Sequence, residues 1–119
     1  MKLEEFYEKI GSSYSDVFAR FSDEEFILHF VLKFGQDKSF DNLKAALESG
    51  DVTVAFRAAH TLKGVTANLG FTELYEKDYV ITEALRAGDI ETAKSLFPEL
   101  ENLYETVIDA LNTCFNTGQ

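Results

Sequence analysis

The feature that most constrains the fold of this chain is a repeated signal for ending one helix and starting the next. Gly50 is followed by Asp51, and Gly88 is followed by Asp89. Glycine readily adopts the left-handed conformation that ends many helices, and an aspartate side chain accepts a hydrogen bond from a free N–H group at the start of the next helix. Apolar residues between these signals recur with a helical period, and no Asn-Gly or Asp-Gly hairpin turn separates alternating runs. The sequence therefore predicts an all-α protein.

The N-terminal segment predicts two short helical pieces. Three apolar residues share one face of the first, which a Gly-Ser-Ser sequence ends: Leu3, Phe6 and Ile10. Residues 14–20 add another turn or two. Ser22 and Glu25 then have the spacing of a capping box, which predicts the start of the first long helix. We expect its phenylalanines at helical spacing, Phe26, Phe30 and Phe34, to lie in the core, up to Gly35.

Four more helices follow. The first spans about 39–49, with Phe40, Leu43, Ala46 and Leu47 directed inward, and the next spans about 52–69, between Asp51 and Gly70. Thr72 is expected to cap the third, whose apolar positions are Leu74, Tyr75, Tyr79, Ala84 and Leu85. The last extends from Asp89 to about Cys114, and Pro98 predicts a kink or a short break near residues 94–97 because proline lacks an N–H group. The tail from about residue 116 is expected to fray.

Length and connection lengths predict the architecture. The chain has 119 residues and 45% hydrophobic content, which suits one domain over residues 1–119 with a single core. Short connections between long helices favour antiparallel neighbours. The predicted fold is an up-down antiparallel four-helix bundle with an N-terminal helical extension.

Charge and composition argue against several classes of partner. A formal net charge of -10 disfavours nucleic acid and anionic lipid, both of which bind clustered Lys and Arg residues. No apolar run is long enough to span a bilayer, and the acidic N-terminus does not have the pattern of a signal peptide. Cys114 is the single cysteine, so no internal disulfide can form. We expect a cytoplasmic protein that binds other proteins, without nucleic acid or membrane.

The helix over residues 52–69 carries the candidate site. On a helical wheel its core face comprises Ala55, Ala59, Leu62, Thr66 and Leu69. His60 falls on a neighbouring face with Thr53, Gly64 and Ala67, and Phe56 and Lys63 flank it at the edge of the core. A glycine inside a helix costs about 1 kcal/mol relative to alanine, so a function is expected of Gly64.

This arrangement suits phosphoryl transfer. A neutral imidazole at His60 can use one ring nitrogen as a nucleophile toward phosphorus, and the resulting phosphoramidate is a good phosphoryl donor. Lys63, three residues later, can offset the charge of the phosphoryl group. Gly64 removes the side chain that would otherwise stand beside the imidazole, so that a partner can approach closely.

The segment His60-Thr61-Leu62-Lys63-Gly64, with Ala67 and Gly70, resembles the signature of the histidine phosphotransfer (Hpt) domains of two-component phosphorelays. The flanks are similar as well: residues 23–34, 43–51 and 84–89 resemble the other helices of that family. Val65 departs from the commoner Ser or Ala; because it lies toward the core, we expect altered packing and no loss of chemistry. The resemblance implies that His60 takes a phosphoryl group from the aspartate of one receiver domain and delivers it to another, with Lys63 neutralising its charge.

The resemblance also implies partners and a surface for them. The partners are receiver domains of response regulators and a sensor or hybrid histidine kinase, and Thr53, Phe56, Gly64 and Ala67 would form the receiver docking surface. The chain itself would need no cofactor or metal, and Mg²⁺ would lie on the partner receiver domain. No ATP-binding motif is recognisable, so the chain is expected to be a phosphotransfer carrier and not a kinase.

Other interpretations remain for some residues. The chain could be a helical interaction module whose histidine is never phosphorylated. An enzyme is disfavoured, since no carboxylate pair, Ser-His or Cys-His set is recognisable. Gly64 could instead permit close packing between helices, and His29 is expected to be structural or partly exposed, since His29 and His60 lack the spacing of metal ligands.

Overall fold

The computed structural model describes residues 2–115, and this part of the chain forms helices and no strands. The helices are α1 (Lys2–Lys9), α2 (Tyr14–Phe21), α3 (Glu24–Phe34), α4 (Ser39–Ser49), α5 (Val52–Leu69), α6 (Thr72–Arg86) and α7 (Ile90–Phe115). The predicted all-α class is confirmed. The prediction for the tail from residue 116 lies outside the described residues.

Helices α4 to α7 form the up-down bundle that the short connections predicted. Each of them packs against the next in the chain, and α4 also contacts α7, which closes the bundle. The N-terminal helices form the extension: α1 packs on α7, and α2 connects it to α3. The predicted four-helix bundle with an N-terminal helical extension is therefore confirmed.

The ends of α5 follow from its two capping residues, as predicted. The Asp51 side chain accepts a hydrogen bond from the backbone N–H of Val54 at 3.1 Å. Gly70 adopts the left-handed conformation with φ 70°, and the N–H of Phe71 donates to the carbonyl of Thr66 at 3.0 Å. These hydrogen bonds satisfy backbone groups that a helix end would leave free. The bounds predicted for α4 and α5 are confirmed, and Asp89 likewise caps α7 through the N–H of Thr92.

The predicted capping box at Ser22 and Glu25 is wrong. Asp23 is the residue that caps α3, because its side chain accepts from the N–H of Phe26 at 3.1 Å. Ser22 instead ends α2 in the left-handed conformation, with φ 52°. The two helices follow each other so closely that one residue ends the first and its neighbour starts the second.

The face of α3 that lies in the core also differs from the prediction. Phe34 is buried, but Phe26 and Phe30 are 43% and 39% exposed. The buried residues of this helix are Ile27, Val31 and Phe34. Both sets have helical spacing and share Phe34, whose ring contacts those of Phe71 and Tyr104 at 5.1 and 5.9 Å. The local pattern does not distinguish the two faces, and the tertiary structure buries the one with Ile27 and Val31.

Three predictions for the second half of the chain are corrected as well. The residue before the first turn of α6 is Phe71 and not Thr72, and no side chain within the described residues caps this end of the helix. The N–H of Thr72 donates to the hydroxyl of Ser12. Tyr79, expected at an apolar position, is 45% exposed. Helix α7 continues through Pro98, so of the predicted kink or short break the break is wrong, and the kink stays a prediction. Pro98 is exposed, so the helix tolerates proline on its solvent side.

The N-terminal extension holds the C-terminal end of α5. The buried hydroxyl of Tyr7 donates to the carbonyl of Leu69 at 2.6 Å. The guanidinium of Arg20 donates to the carbonyls of Ala67 and Asn68 at 3.2 and 3.0 Å. A cation and hydrogen-bond donors are favourable there because helix carbonyls at this end lack partners. Burial raises the pKa of Tyr7, so its hydroxyl stays protonated and donates.

Candidate functional site

Helix α5 places His60 on its solvent face. The residues predicted for its core face are all buried, and Ala58 joins them: Ala55, Ala58, Ala59, Leu62, Thr66 and Leu69. His60 is exposed, while Phe56 and Lys63 are half-buried at the boundary between core and solvent. The wheel position predicted for His60 is therefore confirmed.

Small side chains surround His60 on that face. Thr53, Gly64 and Ala67 are all exposed. A Cβ atom built on Gly64 would meet nothing within 4 Å, so none of the helices α1 to α7 packs against this glycine. The alternative that Gly64 permits close helix packing is therefore wrong, and the surface beside the imidazole is open to an approaching molecule.

The imidazole of His60 stacks on the ring of Phe56, one turn earlier in α5. The ring centroids are 5.7 Å apart and the planes differ by 27°. The guanidinium carbon of Arg86, at the end of α6, lies 4.9 Å from the centroid of the same Phe56 ring. The Nε of Arg86 is in turn 3.2 Å from a carboxylate oxygen of Glu83. Phe56 thus connects the histidine to a cation on the neighbouring helix.

Sequence reasoning did not find Arg86. It lies at the end of a different helix, and no local spacing relates it to His60. Its approach to Phe56 follows from the packing of α6 against α5. Arg residues are generally enriched over aromatic rings, and this preference is the signal that could have suggested the contact. It does not say which ring a given Arg residue contacts.

Lys63 also contacts an aromatic ring on α6. Its Nζ lies 5.4 Å from the centroid of the Tyr79 ring, within the distance of a cation–π interaction. Lys63 is half-buried. The lysine therefore occupies a defined position one turn from His60.

Asp78, next to Tyr79 on α6, is a buried carboxyl group beside this site. It is 0% exposed, and one oxygen, Oδ1, has no hydrogen-bond partner within residues 2–115. The other oxygen is 3.5 Å from the hydroxyl of Thr82, which donates more closely, at 2.8 Å, to the backbone carbonyl of Asp78. Burial raises the pKa of Asp78 to about 8, against smaller opposing effects of Thr82 and of the Lys63 charge.

An apolar groove adjoins the other side of α5. Its volume is about 550 Å³, and it lies between α3, the start of the loop after α3, and the C-terminal half of α5. The residues that line it are Phe21, Phe26, Ile27, Phe30, Lys33, Phe34, Gln36, Asp37, Val65, Asn68 and Leu69. The exposed rings of Phe26 and Phe30 belong to this groove, which sequence reasoning missed because it assigned both to the core.

The second histidine lies apart from these features. His29 is exposed on α3, where its ring contacts Phe30 edge to face at 5.0 Å. Within residues 2–115, no three His, Cys, Asp or Glu side chains are grouped so that they could hold a metal ion. No helix in the same part of the chain is long and apolar enough to cross a membrane.

Comparisons with known proteins agree with this geometry. The sequence model of the Hpt domain matches residues 35–110, a range that includes α4, α5 and α6 and most of α7. The chain is also similar to the chemotaxis protein CheA of Bacillus subtilis (strain 168), with 38% identity over 63 residues. That match covers 47% of this chain and 9% of the relative. No solved structure matches the chain. Because the Hpt model covers more than half of the sequence, the chain belongs to the Hpt domain family, the phosphocarrier modules of two-component signalling.

Proposed function

We propose that this chain is a phosphorelay intermediate that accepts a phosphoryl group on His60 from the aspartate of a receiver domain and transfers it to another receiver domain. The observation that carries the proposal is the exposed imidazole beside a glycine whose missing side chain leaves open space. A nucleophile that must reach an aspartyl phosphate inside another protein needs such an approach.

The chemistry needs only one ring nitrogen. The lone pair of a neutral His60 nitrogen attacks phosphorus, a P–N bond forms, and the P–O bond to the donor aspartate breaks, so that the aspartate leaves as a carboxylate. The proton on the other ring nitrogen remains there or leaves to water. In the second transfer an acceptor aspartate attacks phosphorus, and the P–N bond breaks to restore the imidazole.

Neighbouring side chains support this step by position and charge. The stack on Phe56 limits the rotation of the His60 ring, so that less freedom is lost when the reacting atoms align. Lys63 supplies a positive charge for the phosphoryl oxygens. Mg²⁺, which helps to neutralise an aspartyl phosphate, would be bound by the partner receiver domain and not by this chain.

Thr53, Phe56, Gly64 and Ala67 form the proposed receiver docking surface. All four lie on the His60 side of α5 and are exposed or half-buried. The apolar groove lies on the other side of α5, against Val65, Asn68 and Leu69, and shares no residue with this surface. Exposed apolar surface next to a reactive group is typical of a site for another protein. We infer that receiver domains, and through them a sensor or hybrid histidine kinase, are the partners, and that the chain acts in the cytoplasm.

The test is direct phosphoryl transfer. The purified chain is incubated with radiolabelled, phosphorylated receiver domains of its own cell, and the label on the chain is followed over time. We expect rapid labelling that acid removes, as for a phosphohistidine. A chain that stays unlabelled with every receiver domain would instead be an interaction module without phosphorylation.

A further inference from the structure

A buried carboxyl group without a full set of partners is unusual in a stable bundle. Asp78 is completely buried, and its Oδ1 lacks a hydrogen bond to any residue that the structure describes. Buried polar groups of native proteins are nearly always paired, because an unpaired one loses its hydration without compensation. An asparagine or an apolar residue would fit a purely structural role better at this position. Asp78 therefore needs an explanation beyond packing.

The surroundings of Asp78 point to Lys63. Asp78 lies next to Tyr79, whose ring is 5.4 Å from the Lys63 Nζ. The Lys63 charge is also the ionic interaction that acts on the pKa of Asp78 from α5. Of the other charged side chains on α6, Lys77 forms an ion pair with Glu99 of α7 at 2.9 Å. The opposite charges of that pair offset each other. The Lys63 ammonium therefore rests on α6 at the residue next to the buried carboxyl, where its charge opposes the rise in the pKa of Asp78.

We propose that Asp78 is a positioning residue for Lys63, which it draws toward α6 when its carboxyl is ionised and releases toward His60 when its carboxyl is protonated. This inference rests on the proposed function, since it assumes that Lys63 serves a phosphoryl group on His60. It assigns a role to a group that the transfer step itself does not use.

The coupling follows from the competition of two anions for one cation. Near and above pH 8, where Asp78 is ionised, an unphosphorylated His60 leaves Lys63 available to it. A dianionic phosphoryl group on His60 attracts the same ammonium, and Asp78 then loses its counter-charge and takes up a proton from water. The Lys63 ammonium therefore interacts either with the phosphoryl group on His60 or with the buried carboxylate. The protonation state of Asp78 determines how strongly Lys63 stabilises the phosphoryl group.

The coupling can be measured without phosphoryl transfer. Carbon-13 NMR follows the Asp78 carboxyl over a pH titration of the whole chain and of its Lys63→Gln variant. We expect the carboxyl to titrate well above the ordinary range of aspartate and its pKa to rise by about 0.5 or more in the variant, because an attractive charge has been removed. The Lys94→Gln variant, at an exposed lysine of α7, is the control that should leave the titration unchanged. An ordinary pKa, or one that Lys63→Gln does not move, would overturn the proposal.

Activity gives the second arm of the test. Transfer from a phosphorylated receiver domain is measured from pH 6.5 to 9 for the parent chain and for Asp78→Asn, which is always neutral. We expect equal rate constants at pH 6.5 and a ratio of variant to parent that rises to about threefold at pH 9, where Asp78 is ionised in the parent only. Effects of pH on the receiver domain cancel in this ratio. Asp109→Asn, at an exposed aspartate of α7, controls for the change in net charge.

The two arms separate the two proposals. A ratio that stays flat with pH would overturn the role of Asp78 even if transfer itself occurs. If neither protein is labelled, the proposed function fails, and the NMR titration still decides whether Lys63 and Asp78 are coupled.

Stability provides a further check with a defined sign. The pKa of Asp78 is raised by folding from 3.8 to about 8, so between these pH values the folded chain holds a proton that the unfolded chain has released. Stability therefore falls as pH rises through this window. We expect the melting temperature of Asp78→Asn to match that of the parent near pH 4 and to exceed it increasingly toward pH 8. Parallel melting curves over this range would show that Asp78 has an ordinary pKa.

Discussion

Helices α5 and α3 each carry an exposed histidine in contact with a phenylalanine, but they present it in different surroundings. On α5, His60 stacks on Phe56 among small side chains, with Lys63 three residues later. On α3, His29 contacts Phe30 edge to face, and the neighbouring surface is the aromatic wall of a groove. Both imidazoles are exposed, so the proposed reactivity of His60 rests on its open surroundings and on the position of Lys63.

The two helices also differ in how their buried faces are specified. In α5 the core face is made mostly of small and aliphatic residues, and Val54 is the one exposed large apolar residue of the helix among those that the structure describes. In α3 large apolar residues occupy both the buried and the exposed face. A helix of the first kind has one way to bury its apolar surface, whereas a helix of the second kind leaves apolar surface exposed in any orientation. That remainder forms the groove on the other side of α5 from the proposed docking surface.

The largest expected effect is on labelling by phosphorylated receiver domains. His60→Gln should abolish the acid-labile label, because the nucleophile is absent, whereas His29→Gln should be labelled like the parent chain. Circular dichroism should show unchanged helicity for both variants, since both side chains are exposed. Label that persists on His60→Gln would refute the assignment of the acceptor.

The two faces of α3 can be separated by stability. Phe34→Ala should lower the free energy of unfolding by about 3–5 kcal/mol, because it leaves a cavity among Phe71 and Tyr104. Phe30→Ala removes a ring that is 39% exposed and should cost less than about 1 kcal/mol. Urea unfolding of both variants measures the difference. Equal losses would mean that Phe30 belongs to the core, as the sequence pattern alone predicted.

Gly64 tests the access that distinguishes α5. Gly64→Leu should slow phosphoryl transfer by up to about 100-fold, because a bulky side chain holds the partner away from His60. The same change should raise stability by several tenths of a kcal/mol, since leucine is the better helix former and a Cβ here meets open space.

Gly70 provides the matched control for Gly64. It has φ 70°, and a Cβ there would lie 2.5 Å from Cγ2 of Val17. Gly70→Ala should therefore lower stability by more than about 1 kcal/mol. A clear drop in melting temperature for Gly64→Leu, comparable to that of Gly70→Ala, would contradict the docking interpretation of Gly64.

The smallest expected effect concerns the lysines of the two helices. Lys63→Gln should slow transfer about tenfold, which corresponds to the loss of about 1.4 kcal/mol of charge stabilisation in the transition state. Lys33→Gln is the matched control, because the Nζ of Lys33 likewise lies near an aromatic ring, that of Phe30, at 6.0 Å. Transfer rates are measured at saturating receiver domain. Equal rates for both variants would remove Lys63 from the site.

Local signals were sufficient for the motif helix. The bounds of α5 follow from Asp51 and Gly70, whose effects reach only across one turn, and its core face follows from a single stripe of apolar residues. The exposure of His60 and the open space at Gly64 follow from the same stripe. The sequence pattern places the cap of α3 one residue too early, at Ser22 instead of Asp23. Both are good capping residues, and their position between α2 and α3 decides which of them caps α3.

The sequence by itself determined the helical class, the limits of α4 and α5, and the face of α5 on which His60 lies, because these depend on contacts within one or two turns. Only the tertiary structure decided which face of α3 is buried, and which residues of α6 approach α5: Arg86 over Phe56, and Tyr79 and Asp78 beside Lys63. It also decided that Tyr7 and Arg20 hold the carbonyls at the end of α5, from residues more than 45 positions away. The physical reason is that such contacts depend on how helices pack, and the local spacing of residues carries no record of that packing.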